Sequence, residues 1–155
     1  MEFPGRGILE RQAFKGKALT KLRRTVMKIL ISYDKNTSIS NILDKGVQRA
    51  KDSNAYIYLV STFLPDGSGE EIAEIDAQLE ELKIDIFEKQ NILCESHILT
   101  RSVMPGEELV SYAKEKGVDE IIIGLKKPSK LGKIMFGSTA QYIILEADCP
   151  VLCVK

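Results

Sequence analysis

Ile121-Ile122-Ile123-Gly124-Leu125-Lys126-Lys127, running on to Phe136-Gly137-Ser138-Thr139, is the stretch on which the reading of this chain turns. Three isoleucines in a row, within Val118–Ile123, are what a central parallel strand covered on both faces carries. The run stops at Gly124, and a lysine-bearing loop follows. A second glycine, Gly137, then leads through the hydroxyl pair Ser138-Thr139 into a helical pattern from Ala140 to Ala147. Backbone N–H groups, a helix N-terminus and positive charge are thereby set beside the C-terminal end of a strand. All three features suit a bound phosphate, and the layout implies a nucleotide-binding module.

Outward from that stretch, strand and helix patterns alternate from Met27 onward. Lys28–Tyr33 is a short apolar run, closed by the polar break Asp34-Lys35-Asn36-Thr37. Ile39, Ile42, Leu43, Val47 and Ala50 recur at helical spacing. Ala55–Thr62, rich in Tyr, Ile and Val, reads as a second strand. Pro65-Asp66-Gly67-Ser68-Gly69 is a loop signal, and Ile72, Ile75, Leu79, Leu82 and Ile86 mark one face of a long charged helix. Cys94–Ser102 reads as a third strand ahead of Pro105-Gly106. Glu107 and Glu108 then complement the dipole of a helix that Gly117 stops. Pro150–Val154 is the last strand. The expected fold is α/β: a three-layer, open, mostly parallel five-stranded sheet of Rossmann-like type, with helices on both faces. In such sheets ligands bind at the C-terminal strand ends where the strand order reverses, and the first and fourth strands, ending at Asp34 and Gly124, are the expected neighbours there.

The chain has 155 residues, 44% of them hydrophobic, which is enough for one domain with a sizeable core. Its formal net charge is zero, but the charge is unevenly spread. Residues 1–26 carry seven Lys/Arg against two acids, whereas 27–155 carry fifteen against twenty. Residues 1–26 are therefore expected to be a basic, poorly ordered extension, and 27–155 the folded domain. The extension has no apolar core long enough for a secretory signal or membrane span, and no aromatic interleaving that would indicate nucleic acid. Three cysteines, Cys94, Cys149 and Cys153, without a CxxC pair or a Cys/His cluster, fit reduced thiols and a cytoplasmic protein without a metal site.

Each candidate site residue has a functional and a purely structural reading. Gly124 lets a nucleotide lie close to the backbone, or simply permits a sharp turn. Ser138 with Gln141 fits an S-x-x-Q capping box, and the same helix start offers amides to an anion. Lys126, Lys127, Lys130 and Lys133 are a solvated basic loop or a phosphate-attracting one. That loop is not a P-loop, because Lys127 and Ile134 stand where Gly and Ser/Thr belong around Gly132-Lys133. Asp34 could accept hydrogen bonds from sugar hydroxyls or a base edge, or close an Asx turn. His97, the only histidine, reads as structural or exposed. No Ser/His/Asp arrangement or nucleophile elbow speaks for hydrolysis.

Taken together these residues resemble the universal stress protein family, over nearly the whole of Lys28–Lys155. The resemblance is carried by Lys28-Ile29-Leu30 with Asp34, by Asn54-Ala55, and by Pro105-Gly106-Glu107-Glu108. It continues through Gly117-Val118-Asp119-Glu120-Ile121-Ile122-Ile123-Gly124, Phe136-Gly137-Ser138-Thr139 and Cys149-Pro150-Val151-Leu152. ATP-binding members carry G-x-x-G, nine residues, then G-[S/T]. Gly124 and Gly137-Ser138 match, and Lys127 replaces the second glycine, either crowding a triphosphate or substituting its ammonium for backbone contacts. The resemblance implies that Asp34 and the main chain around Thr62 hold a nucleoside, while Gly124, Lys127, Gly137, Ser138 and Thr139 face phosphates. Ser32, Tyr33, Ile123 and Lys126 complete the candidate site. The implied ligand is ATP or AMP, with Mg2+ as an optional companion. The implied role is regulatory, in stress adaptation and without an enzymatic reaction beyond slow ATP hydrolysis, and a homodimer through Val151–Val154 is expected. A nucleotide-free homodimeric interaction protein with a degenerate loop is the alternative.

Overall fold

A computed structural model describes residues 26–35, 37, 39–63, 68–100, 103–126 and 136–155. Expectations for residues 1–25, for Pro65-Asp66-Gly67, and for Lys127, Lys130 and Lys133 lie outside that set. Five strands form one sheet: β1 (Lys28–Ser32), β2 (Tyr56–Thr62), β3 (Cys94–Leu99), β4 (Glu120–Gly124) and β5 (Val151–Val154). Their order is β3-β2-β1-β4-β5, and every pairing is parallel. Ile29 lies opposite Ile57 on one side and Glu120 on the other, so β1 and β4 are the expected neighbours across the reversal of strand order. β4 starts later than the apolar pattern suggested. The N–H of Val118 still closes the preceding helix on Ala113, and that of Asp119 donates to Lys28.

The alternation of each strand divides the core into two clusters. Ile29, Ile31, Ile57, Leu59 and Ile122 face α1 (Ile39–Ser53) and α2 (Gly69–Leu82). Leu30, Tyr58, Val60, Ile121 and Ile123 face α3 (Pro105–Lys116) and α4 (Ser138–Glu146). α1 rides close on β1 because residue 46 is glycine: a Cβ there would stand 2.3 Å from Ile31 Cδ1. α2 begins with a reciprocal cap, in which Ser68 Oγ accepts from Glu71 N–H and the Glu71 carboxylate accepts from Ser68 N–H. It then widens into a π turn at Lys83–Phe87 and tightens into a short 3-10 turn at Glu88–Gln90. The extra residue in that turn shifts the apolar stripe by one position. Phe87 is consequently the fully buried side chain, and Ile86, favoured by simple periodicity, is only partly buried. α3 starts with Pro105 at its first position and ends on Gly117 at φ 64°, ψ 47°, a left-handed cap that suits glycine.

Candidate functional site

A cavity of about 410 Å³ opens at the C-terminal ends of the strands, over the gap between β1 and β4. Ser32, Tyr33 and Asp34 reach it from the end of β1, and Thr62 from the end of β2. Ile123, Gly124 and Lys126 enter from β4, and Gly137, Ser138 and Thr139 from the start of α4. Every expected site residue that the structure describes therefore lines one cavity; Lys127 lies outside the described residues. Lys35, Thr37, Phe63, Ile75, Pro105 and Leu109 also line it and were not singled out from the sequence. Lys35 could have been: it directly follows Asp34 at a strand end. Ile75 and Leu109 carry only the apolar signal of any core residue.

Two helices begin at this cavity. Gly106 lets them approach, since a Cβ there would lie 2.8 Å from Tyr142 Cβ and 3.2 Å from the Thr139 carbonyl oxygen. Met104 and Gly137 are the residues that open α3 and α4, and neither helix has a side-chain cap. The expected capping box at Ser138 is thus not formed. Ser138 already stands inside the first turn, and Gln141 turns its amide to the carbonyl of Phe136, donating at 3.2 Å. The first intrahelical bond of α4 runs from Gln141 N–H to Gly137 at 3.0 Å. Helix geometry therefore leaves the amides of Ser138, Thr139 and Ala140 without an intrahelical acceptor, beside the cavity.

The two glycines have different causes. Gly124 is no sharp turn, because strand pairing continues past it: Leu125 N–H donates to Val154 at 2.8 Å. A Cβ at 124 would stand 2.3 Å from Ile42 Cδ1 and 3.1 Å from Thr37 Cβ and Oγ1, so a side chain there requires Ile42 and Thr37 to shift. Gly137 is the reverse case. Its φ of −63° and ψ of 160° are open to any residue, and a Cβ there would meet nothing within 4 Å among the described residues. Neither its backbone nor its packing against the described residues asks for glycine at 137.

Tyr33 sends its side chain toward α2, where its hydroxyl donates to Gln78 Oε1 at 3.0 Å and the Gln78 amide in turn reaches Glu74 at 3.4 Å. Burial, and then the negative charges of Asp34 and Glu74, hold the phenol above its ordinary pKa, so it stays a neutral hydrogen-bonding wall. Asp34 sits in a turn closed on its main-chain carbonyl, which accepts from both the N–H and the hydroxyl of Thr37. Lys35 and Lys126 are the cationic side chains of the described lining, and Asp34 its carboxylate. One carboxylate beside two ammonium groups does not fit a Mg2+ ion held by protein ligands. No group of three potential metal ligands lies together among the described residues. His97 is remote from this chemistry. It sits half-exposed on β3 and shares a hydrogen bond of 2.9 Å with Glu95.

Comparison with known proteins agrees with this fold. The family model described as "Universal stress protein family" matches residues 25–155. This chain belongs to the universal stress protein family. A universal stress protein of Methanocaldococcus jannaschii is 31% identical over 141 residues, covering 83% of this chain and 81% of the relative. The solved structure of a universal stress protein from Archaeoglobus fulgidus superposes with a TM-score of 0.74 at 32% identity, over 83% of this chain and 98% of that one. A structure of the universal stress protein from the same organism in complex with dAMP has a TM-score of 0.69 at 29% identity, over 84% and 99% of the two chains. As a family member the chain has the Rossmann-like architecture of its relatives. None of its described helices is long and apolar enough to cross a membrane.

Proposed function

We propose that this universal stress protein binds an adenine nucleotide, ATP or AMP, in the strand-end cavity and works as a regulatory switch in stress adaptation. The observation that carries the reading is Gly137: a glycine whose backbone suits any residue and whose Cβ position is open among the described residues, at the start of a helix beside the cavity. A phosphate drawn to the first amides of that helix explains why a side chain is missing there. Asp34 and the main chain around Thr62 take the nucleoside. Gly124, Lys126, Ser138 and Thr139 surround the phosphates, and Lys127 adds charge from the adjoining loop. A relative solved in complex with dAMP supports an adenine nucleotide as the class of ligand.

Binding and release, rather than turnover, are the proposed output, since the described cavity holds no carboxylate pair and no metal cluster. The half-buried edge strand β5 is the proposed seam of a homodimer, because an unpaired edge invites pairing with its twin. The three free thiols fit a reducing compartment, hence a cytoplasmic role. Residues 1–26 are proposed as an extension ahead of this unit, and the family match, which starts at residue 25, leaves out residues 1–24.

Calorimetric titration with AMP, ADP and ATP tests the assignment, with Gly137→Val as the variant. A branched side chain at that point should weaken binding at least about tenfold, or roughly 1.4 kcal/mol. Unchanged affinity in a folded Gly137→Val protein would place any nucleotide elsewhere.

A further inference from the structure

Thr37 belongs to the polar break after β1, and nothing in its sequence setting distinguishes it. The structure gives it two attachments. Its main-chain N–H and its hydroxyl both donate to the Asp34 carbonyl, at 3.0 Å and 2.9 Å. The same side chain stands against the end of β4, since a Cβ on Gly124 would come within 3.1 Å of Thr37 Cβ and Oγ1. Thr37 also lines the cavity itself.

One residue therefore touches both strand ends that flank the crevice. We infer that Thr37 is a positioning residue, whose hydroxyl fixes Asp34 relative to the Gly124 backbone and so sets the nucleoside end of the cavity. The inference rests on the nucleotide-binding reading given above. The chemistry separates into shape and donor. The β-branched body fills the space beside Gly124, and the hydroxyl gives the Asp34 carbonyl a second hydrogen bond. Without that bond the Asp34 carbonyl has one hydrogen bond fewer, and the Asp34 main chain gains freedom that a ligand must remove on binding.

The substitutions Thr37→Val and Thr37→Ser divide these roles, because valine keeps the shape and loses the donor while serine keeps the donor. Binding of adenosine, AMP and ATP is measured for each, together with the melting temperature. Thr37→Val is expected to weaken all three ligands by a common factor of about five, adenosine included, and Thr37→Ser to stay within about twofold of the parent. If valine lowers the melting temperature, Thr37→Ala repeats the test with the space beside Gly124 left open, and the same uniform loss is expected. Equal affinities for Val and parent overturn the inference. So does a serine variant as weak as the valine one, or a loss confined to the phosphorylated ligands. A parent protein that binds none of the three overturns the nucleotide reading itself, a result visible before any variant is made.

Discussion

Alanine placed at Gly124 and at Gly137 should separate a glycine demanded by packing from one demanded by a ligand. At 124 the added methyl would start 2.3 Å from Ile42 Cδ1 and 3.1 Å from Thr37. The nearest atom is the far end of the Ile42 side chain, which is 1% exposed, so a shift of that methyl within the interior has to relieve the clash. Overpacking of this kind costs roughly 1–3 kcal/mol. Loss of glycine's freedom in the unfolded chain returns about 0.4–1 kcal/mol. The net expectation for Gly124→Ala is a loss centred near about 1 kcal/mol and no larger than about 2.6 kcal/mol, or at most roughly 10 °C in melting temperature for a domain of this size. At 137 the backbone already suits alanine and the methyl meets nothing among the described residues. A weaker helix start and the same unfolded-state gain nearly cancel there, so stability should hold within about 0.5 kcal/mol.

Thermal and urea denaturation of both variants without ligand is the assay. The mechanism at 124 has its own control. Ile42→Val removes the clashing methyl, at a cost of about 0.5–1.5 kcal/mol when made alone. In that background Gly124→Ala should cost little or nothing, a coupling of about 1 kcal/mol between the two sites. Additive losses in the double variant would refute the packing account of Gly124. A Gly137→Ala protein as destabilised as Gly124→Ala would refute the claim that the fold does not need glycine there, and with it the main support for a phosphate at the start of α4.

Three further outcomes are expected. The Tyr112 phenol is buried with no hydrogen-bond partner among the described residues, so Tyr112→Phe should leave stability unchanged or raise it by up to about 1 kcal/mol; a comparable loss in urea denaturation would show that the hydroxyl has a partner after all. Burial pushes the Cys94 thiol from 9.0 up to about 12, and burial followed by Tyr58, Glu95 and Glu115 pushes the Tyr112 phenol from 10.0 up to about 12. The unfolded chain loses these protons first, so their contribution is intact below pH 9 and falls between about pH 9 and 12; a urea midpoint that stays level from pH 8 to 11 would contradict this. Starting the chain at Met27 should leave melting temperature and nucleotide affinity unchanged, and a fall of several degrees would show that residues 1–26 dock on the domain.

What could be read from the sequence, and what could not, follows the range of the interactions involved. The strands were legible because Lys28–Ser32, Tyr56–Thr62 and Ile121–Ile123 are apolar on both faces, as buried parallel strands must be. The cavity was legible for a related reason: parallel strands in a doubly covered sheet put their C-terminal ends in one row, so Asp34, Thr62 and Gly124 had to converge once the order was known. Sequence signals misled where backbone geometry a few residues away, or a neighbour distant in sequence, decided the outcome. Ser138 fits a capping template, yet Gly137 opens the helix and Gln141 turns back to Phe136. The π turn at Lys83–Phe87 has no marker in its residues, and only the burial of Phe87 instead of Ile86 reveals it. Gly124 reads in the sequence as a turn or a ligand contact, and the structure adds a third cause, the close packing of Ile42 and Thr37 against it. The glycine that best indicates a ligand is therefore not the one that ends the apolar strand. It is Gly137, because a glycine that neither its backbone nor the described packing explains is where an outside partner has to be considered.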